Sequence, residues 1–264
     1  MGCARCNEKA LLMTKPDTPL IRLADIPAAI GLLTRLPVKT DGARGAAAAW
    51  AFPLVGLIIG VLAAALGWVA LALGLSAPIT AALVITAQVV MTGAMHEDGL
   101  ADTFDGLWGG WDKDRRLEIM KDSQIGTYGV IALVLSLGIR WTAITAMIHS
   151  GALFMALIAT AALSRMPMVF IMATLPHARD GGLSASVGRA PKETAGVALG
   201  LALLACFIAP VTASIIALAA ATLAATTIAL IALRKIGGQT GDILGASQQL
   251  AEIAALITFA TLLA

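Results

Sequence analysis

Between His96 and Gly106 the chain reads HEDGLADTFDG, and eight of its 16 acidic residues fall between Glu97 and Asp122. At about 100° per residue on a helix, Asp102 lies about 40° and Asp105 about −20° around the axis from Asp98. Asp98, Asp102 and Asp105 therefore share one face, while Glu97 points elsewhere. Like charges on a partly desolvated face repel and call for a counter-charge. A divalent cation supplies one. Hard carboxylate oxygens suit magnesium, which takes one or two carboxylates and completes its shell with water and substrate phosphates. The bland alternative is a solvated loop. Such a loop mixes lysine into its acidic face, and here no Lys or Arg occurs between Arg44 and Lys113.

Beyond a Trp108-Gly-Gly-Trp111 turn, Arg115, Arg116 and Lys121 follow in RRLEIMKDSQIGTYG. Basic side chains beside a carboxylate-held metal are what binding a diphosphate requires. Arg140 and Arg165 stand inside apolar runs. A charge there faces the bundle interior and needs a partner. Arg165 is placed to reach Asp98 or a substrate phosphate, whereas for Arg140 a structural ion pair is at least as good a reading. From Gly237 to Glu252, GGQTGDILGASQQLAE combines glycines with the isolated Asp242. It reads either as a second ligand-contacting loop or as a glycine-rich connector.

The elements that carry these groups are helices in a membrane. Of the 264 residues, 59% are hydrophobic and 13% charged, with a mean hydropathy of +0.89. Soluble domains carry about 25% charged residues. Runs long enough to cross, about 20 residues, begin near Leu54, Ile79, Tyr128, Ala152, Ala195, Ala213 and Ile243. The fold class expected is all-α: a polytopic bundle of about seven spans. The seventh carries Ser247, Gln248, Gln249 and Glu252 and must face protein or water there. Before the first span, Leu23, Ile26, Ile30 and Leu33 recur at helical spacing among charges, which suits an interfacial or re-entrant helix. Lys and Arg alternate from loop to loop. The positive-inside rule then puts the N-terminus and the acidic segment on the cytoplasmic face and the C-terminus outside. Residues 1–19 read as a mobile tail and 20–264 as one integral membrane domain. The Cys3/Cys6 pair has no second pair to complete a zinc site, and Cys206 sits in an apolar run. A net charge of +2 gives no argument for nucleic acid. The oligomeric state is left open.

Five segments carry a resemblance. They are Thr34-Arg35-Leu36-Pro37, HEDGLADTFDG from His96, EIMKDSQIGTYG from Glu118, Arg165 with Pro167, and TGDILGA from Thr240. In this order they resemble the cobalamin synthase family of adenosylcobinamide-GDP ribazoletransferases. The resemblance implies a magnesium-dependent enzyme of the bacterial inner membrane. It would join α-ribazole, or its 5′-phosphate, to adenosylcobinamide-GDP and release GMP. On that footing Asp98, Asp102 and Asp105 hold metal against the diphosphate. Glu97 is a further ligand or the base, and His96 a second candidate base. Arg35, Arg115, Lys121 and Arg165 hold phosphates, and Thr240 and Asp242 belong to a second substrate loop.

Other magnesium enzymes that act on diphosphates at membranes fit less well. The D-G-x-x-A-R pattern of CDP-alcohol phosphotransferases is absent, since the helix reads Asp98-Gly99-Leu100-Ala101-Asp102. So is the asparagine-led motif of aspartate-rich prenyltransferases. A divalent-cation transporter would place acids deep in several spans and polar residues on both sides, whereas these acids gather on one side.

Overall fold

The computed structural model describes residues 19–40 and 44–263. Cys3, Cys6 and all but the last residue of the expected tail lie outside them. Among the described residues there are helices and no strand. A short helix, α1 (Asp25–Leu33), is followed by a 3-10 segment (Gly45–Ala51) that runs into α2 (Phe52–Ala72). Then come α3 (Ala77–Thr92), α4 (Met95–Gly109), α5 (Lys113–Ile119), α6 (Thr127–His149), α7 (Leu153–Leu163) and α8 (Met166–Thr174). The chain closes with α9 (Leu183–Val187), α10 (Lys192–Cys206), α11 (Val211–Ile236) and α12 (Gly241–Leu263).

Among the described residues five helical segments are long and apolar enough to cross a membrane: Gly45–Ala72, Thr127–His149, Leu153–Thr174, Val211–Ile236 and Gly241–Leu263. A sixth is possible if α3 and α4, bent by 87° at their junction, count as one broken span. This agrees roughly with the expected number; α10, the remaining candidate, has only 15 residues.

Local chemistry sets the element ends. Pro53 and Pro78 stand in the first turns of α2 and α3, where a missing N–H costs nothing. Gly237 ends α11 in the left-handed conformation, its N–H returning to the Ala232 and Leu233 carbonyls. The α7–α8 span breaks at Ser164 and Arg165, with Pro167 just beyond.

Small residues let the spans approach. A Cβ on Gly56 would collide with the Ala161 carbonyl, and one on Gly60 would lie 2.9 Å from the Ile158 Cα. This four-residue spacing brings α2 against α7, the close packing that lipid-solvated helices depend on. The span α7–α8 is the most enclosed, 83% buried over its apolar window, against 33% for α6 and for α11. The half of the bundle remote from the basic loops is an aliphatic core rich in alanine, from Ala63 and Ala81 to Ala217 and Ala255.

The helix expected at Leu23 to Leu33 forms as α1 and packs on the 3-10 segment and α2. Its anchor is Asp25. That carboxylate accepts hydrogen bonds from Arg44 Nε at 2.9 Å, Trp50 Nε1 at 2.7 Å and the Arg22 N–H at 3.1 Å, and also pairs with Arg44 Nη2. Burial alone would raise its pKa, but the hydrogen bonds from Arg44, Trp50 and Arg22 outweigh it and hold the carboxyl below its ordinary value.

Candidate active site

The site begins at the junction of α3 and α4. Gly93 and Ala94 both adopt left-handed backbone, with φ of 63° and 57°. For alanine this costs about 1–2 kcal/mol, so packing must enforce it. The turn redirects α4 into the bundle, where it lies on α12 and α6. Gly99 and Gly245 make the crossing with α12 possible. A Cβ on Gly99 would lie 2.9 Å from the Asp242 carbonyl and 3.2 Å from the Gly245 Cα.

The acidic residues of α4 then part company. Glu97 is buried and meets Arg140 of α6 at 2.9 Å. Arg140, 1% exposed, also pairs with Glu252 of α12 at 3.0 Å and donates to Gln88 of α3 at 3.1 Å. Gln249 donates to Glu97 at 3.2 Å, and Gln248 joins Glu252 to Ser164. Of the polar residues expected to face protein in the last span, Gln248, Gln249 and Glu252 join this network, while Ser247 is buried and donates to the Leu244 carbonyl of its own helix. Arg140 takes the structural ion pair anticipated for it.

Asp105 is also committed. Its two carboxylate oxygens accept the N–H groups of Gly126 at 2.7 Å and Gly129 at 2.9 Å, at the start of α6. Either glycine, given a Cβ, would collide with that carboxylate. A carboxylate there also complements the positive end of the α6 dipole.

Asp98 and Asp102 remain open. Both line a cavity of about 470 Å³ that also includes Lys121, Ser123 and Gln124. Asp98 lines a second cavity as well, of about 200 Å³, with His96, Arg179 and Asp242. The face expected to gather three carboxylates therefore presents two to the cavities, and the third holds α6. Asp98, Asp105 and Asp242 are all close enough to act on Asp102 electrostatically, opposed by Arg179.

Asp242 is positioned by two zipped loops. Ala178 N–H donates to the Gln239 carbonyl at 2.9 Å, and Gln239 N–H to that of Pro176 at 2.8 Å. The pairing sets Arg179 3.3 Å from Asp242, which also accepts from Thr240 Oγ1 at 3.1 Å. Ser184 Oγ donates to Gln239 Oε1 at 2.9 Å.

The expected phosphate-binding set is dispersed. Lys121 faces the acidic cavity. Arg115 instead pairs with Glu118 at 2.7 Å on the surface, and Arg116 binds the Trp111 and Lys235 carbonyls. Arg165 is buried, donates to the Ala161 carbonyl at 2.7 Å and lines only the internal polar pocket. It does not reach Asp98, because the break between α7 and α8 turns it back on its own helix. Arg35 is exposed and lies against Gly93. Arg179, Ser184 and Gln239 were not singled out from the sequence; the Arg179–Asp242 pair depends on loops about 60 residues apart.

Among the described residues no three His, Cys, Asp or Glu side chains converge as a ready ligand cluster. Magnesium needs only one or two carboxylates when water and phosphate oxygens complete its shell. Asp98 and Asp102, one turn apart at the same cavity, match that donor chemistry.

Comparison with known proteins adds an independent line. The family model described as cobalamin-5-phosphate synthase matches residues 25–260. Curated relatives named adenosylcobinamide-GDP ribazoletransferase include one from Bradyrhizobium diazoefficiens, 42% identical over 93% of this chain and 97% of its own length. Those from Sinorhizobium medicae and Rhizobium meliloti are 44% and 45% identical over 88% of this chain and 94% of theirs. No solved structure matches.

The two kinds of aspartate should separate by experiment. Asp105→Ala should lose about 2 kcal/mol of stability, because a buried, charge-assisted pair of hydrogen bonds disappears. Asp98→Ala should stay within about 0.5 kcal/mol, as removal of an exposed charge does. Thermal unfolding in detergent measures both. Equal losses would refute this division of roles.

Proposed function

Because the chain belongs to the cobalamin-5-phosphate synthase family, we propose that it transfers the adenosylcobinamide phosphate moiety of adenosylcobinamide-GDP to α-ribazole or α-ribazole 5′-phosphate. A free ring hydroxyl of the ribose forms a bond to the phosphorus nearer the corrinoid, since the 5′-oxygen of α-ribazole 5′-phosphate is already esterified. The bond from that phosphorus to the bridging oxygen breaks, and GMP leaves with the electron pair. The proton of that hydroxyl passes to a base. Asp98 and His96, which share a cavity, are the candidates there. Glu97 also borders the larger cavity, but its Oε1 is held by Arg140 and Gln249, which ties it to the buried ion pair.

The observation that carries this reading is the pair of open carboxylates, Asp98 and Asp102, that line one cavity together with Lys121. Phosphoryl transfer of this kind is mostly positioning and charge neutralisation. Magnesium held by Asp98 and Asp102 would neutralise the diphosphate oxygens and the leaving GMP. Lys121 would hold a phosphate from the other side. Of the residues expected to bind phosphate, Lys121 is the one this arrangement favours.

We further place the site on the cytoplasmic face of the bacterial inner membrane. The alternation of lysine and arginine supports it: Arg234 and Lys235, Arg189 and Lys192, and Lys113 to Lys121 all belong to one end of the bundle.

A product assay tests the reaction. Protein purified in detergent, with adenosylcobinamide-GDP, α-ribazole and magnesium, should yield cobalamin and GMP, and chelation should stop it. Asp98→Asn and Asp102→Asn should each lose most of the rate and need more magnesium for what remains. Asp112→Asn and Asp114→Asn, beyond the glycine turn, should behave like the parent. Absence of both products would refute the activity, and unchanged magnesium curves in Asp98→Asn and Asp102→Asn would refute the metal assignment.

Orientation is tested with single cysteines at Ser76 and Ser123, both exposed, after replacing Cys3, Cys6 and Cys206. An impermeant thiol reagent on intact cells should label position 76 and spare position 123. The reverse pattern would overturn the topology.

A further inference from the structure

Two cavities meet at Asp98, and their walls differ. The larger one, with Asp102 and Lys121, is polar and charged at its base. The smaller, about 200 Å³, lies on the other side of α4, among α1, α2, α8, α9 and the start of α12. Its wall is apolar and soft: Leu33, Phe52, Met168 and Met172 line it. Its polar groups, apart from Ser184, are His96, Asp98, Arg179 and Asp242.

Two of those polar groups lack partners. His96, which stands between this cavity and the inner polar pocket of Arg140 and Arg165, is 1% exposed, yet its Nε2 makes no hydrogen bond. Arg179 Nη1 is buried and equally unpartnered, although Nη2 pairs with Asp242. Buried polar atoms are normally satisfied, and a ligand that supplies acceptors and donors at this end would satisfy them.

Phenylalanine and methionine walls favour a flat aromatic ring, through stacking and sulfur contacts. The cavity is far too small for a corrin macrocycle. It suits a bicyclic base. Guanine carries polar groups along its edge that Leu33, Phe52, Met168 and Met172 cannot pair, whereas a benzimidazole has no exocyclic polar group. We propose that this cavity is the acceptor site, with the ribazole base against Phe52, Met168 and Met172 and the ribose toward His96, Arg179 and Asp98. The attacking hydroxyl of the ribose then lies beside Asp98, which lines both cavities. The inference rests on the ribazoletransferase reading and adds which substrate occupies which side of α4.

Leu183, at the rim and 52% exposed, can be enlarged without disturbing the core. Leu183→Trp, and Met172→Ala as a second variant that removes the soft wall, test the assignment. In steady state each should raise the KM for α-ribazole about tenfold or more, the scale on which apolar pockets discriminate shape. The KM for adenosylcobinamide-GDP should change less than about twofold, an energy too small to reflect a lost contact. A KM change confined to adenosylcobinamide-GDP, or none for either substrate, would overturn the assignment. Equilibrium dialysis of α-ribazole against the protein in detergent gives a readout independent of turnover. If no cobalamin forms, the reaction reading fails. The cavity assignment still stands if the wild type binds α-ribazole and both variants bind it about tenfold more weakly, and it falls if they bind it equally or the wild type does not bind it.

Discussion

A guanidinium inside the bundle, that of Arg140, governs the placement of everything around the site. Removing such a charge from water is costly unless it is paired and hydrogen-bonded. No single neighbouring helix supplies enough partners. Arg140 takes Glu97 from α4, Glu252 from α12 and Gln88 from α3. Arg165 adds a second buried cation on α7–α8, so two arginines stand with two glutamates in one enclosed polar pocket. Because Glu97 must meet Arg140, α4 has to start inside the bundle rather than beyond its edge. The left-handed Gly93–Ala94 turn and the 87° bend deliver it there.

From that start the rest of the site follows by helical geometry. One residue after Glu97, Asp98 emerges between two cavities, and one turn later Asp102 faces the larger of them. Another turn brings Asp105 onto the N–H groups of α6, which fixes the far end of α4. The glycine contact of α4 with α12 brings Asp242 alongside, so the chemistry sits where three helices converge.

Much of this was legible in the sequence, for particular reasons. Apolar run length located the spans, and periodicity put Asp98 and Asp102 on one face. The polar first half of the last span announced its buried network. What periodicity cannot say is which neighbour covers a face. Asp105 shares the angular position of Asp98, yet its partners are the N–H groups of residues 21 and 24 positions on. Arg165 was located along its span, but its reach depends on the break at Ser164. Arg115 has a local partner visible in the sequence, Glu118 at i+3 on the same helix. Arg179 carried no local signal, because its meaning comes from the pairing of two distant loops.

The Arg140–Glu97 pair pins α4 and so positions the site. A double-mutant cycle with Arg140→Gln and Glu97→Gln, read as unfolding free energy in mixed detergent micelles, tests it directly. Each single change should be strongly destabilising, because Arg140→Gln takes the paired cation from Glu97 and Glu252, and Glu97→Gln leaves Glu252 as the one carboxylate paired with Arg140. The double variant should be less destabilised than the sum of the two, by about 1–3 kcal/mol. Additivity within about 0.5 kcal/mol would mean that the two residues do not depend on one another, and would contradict the account.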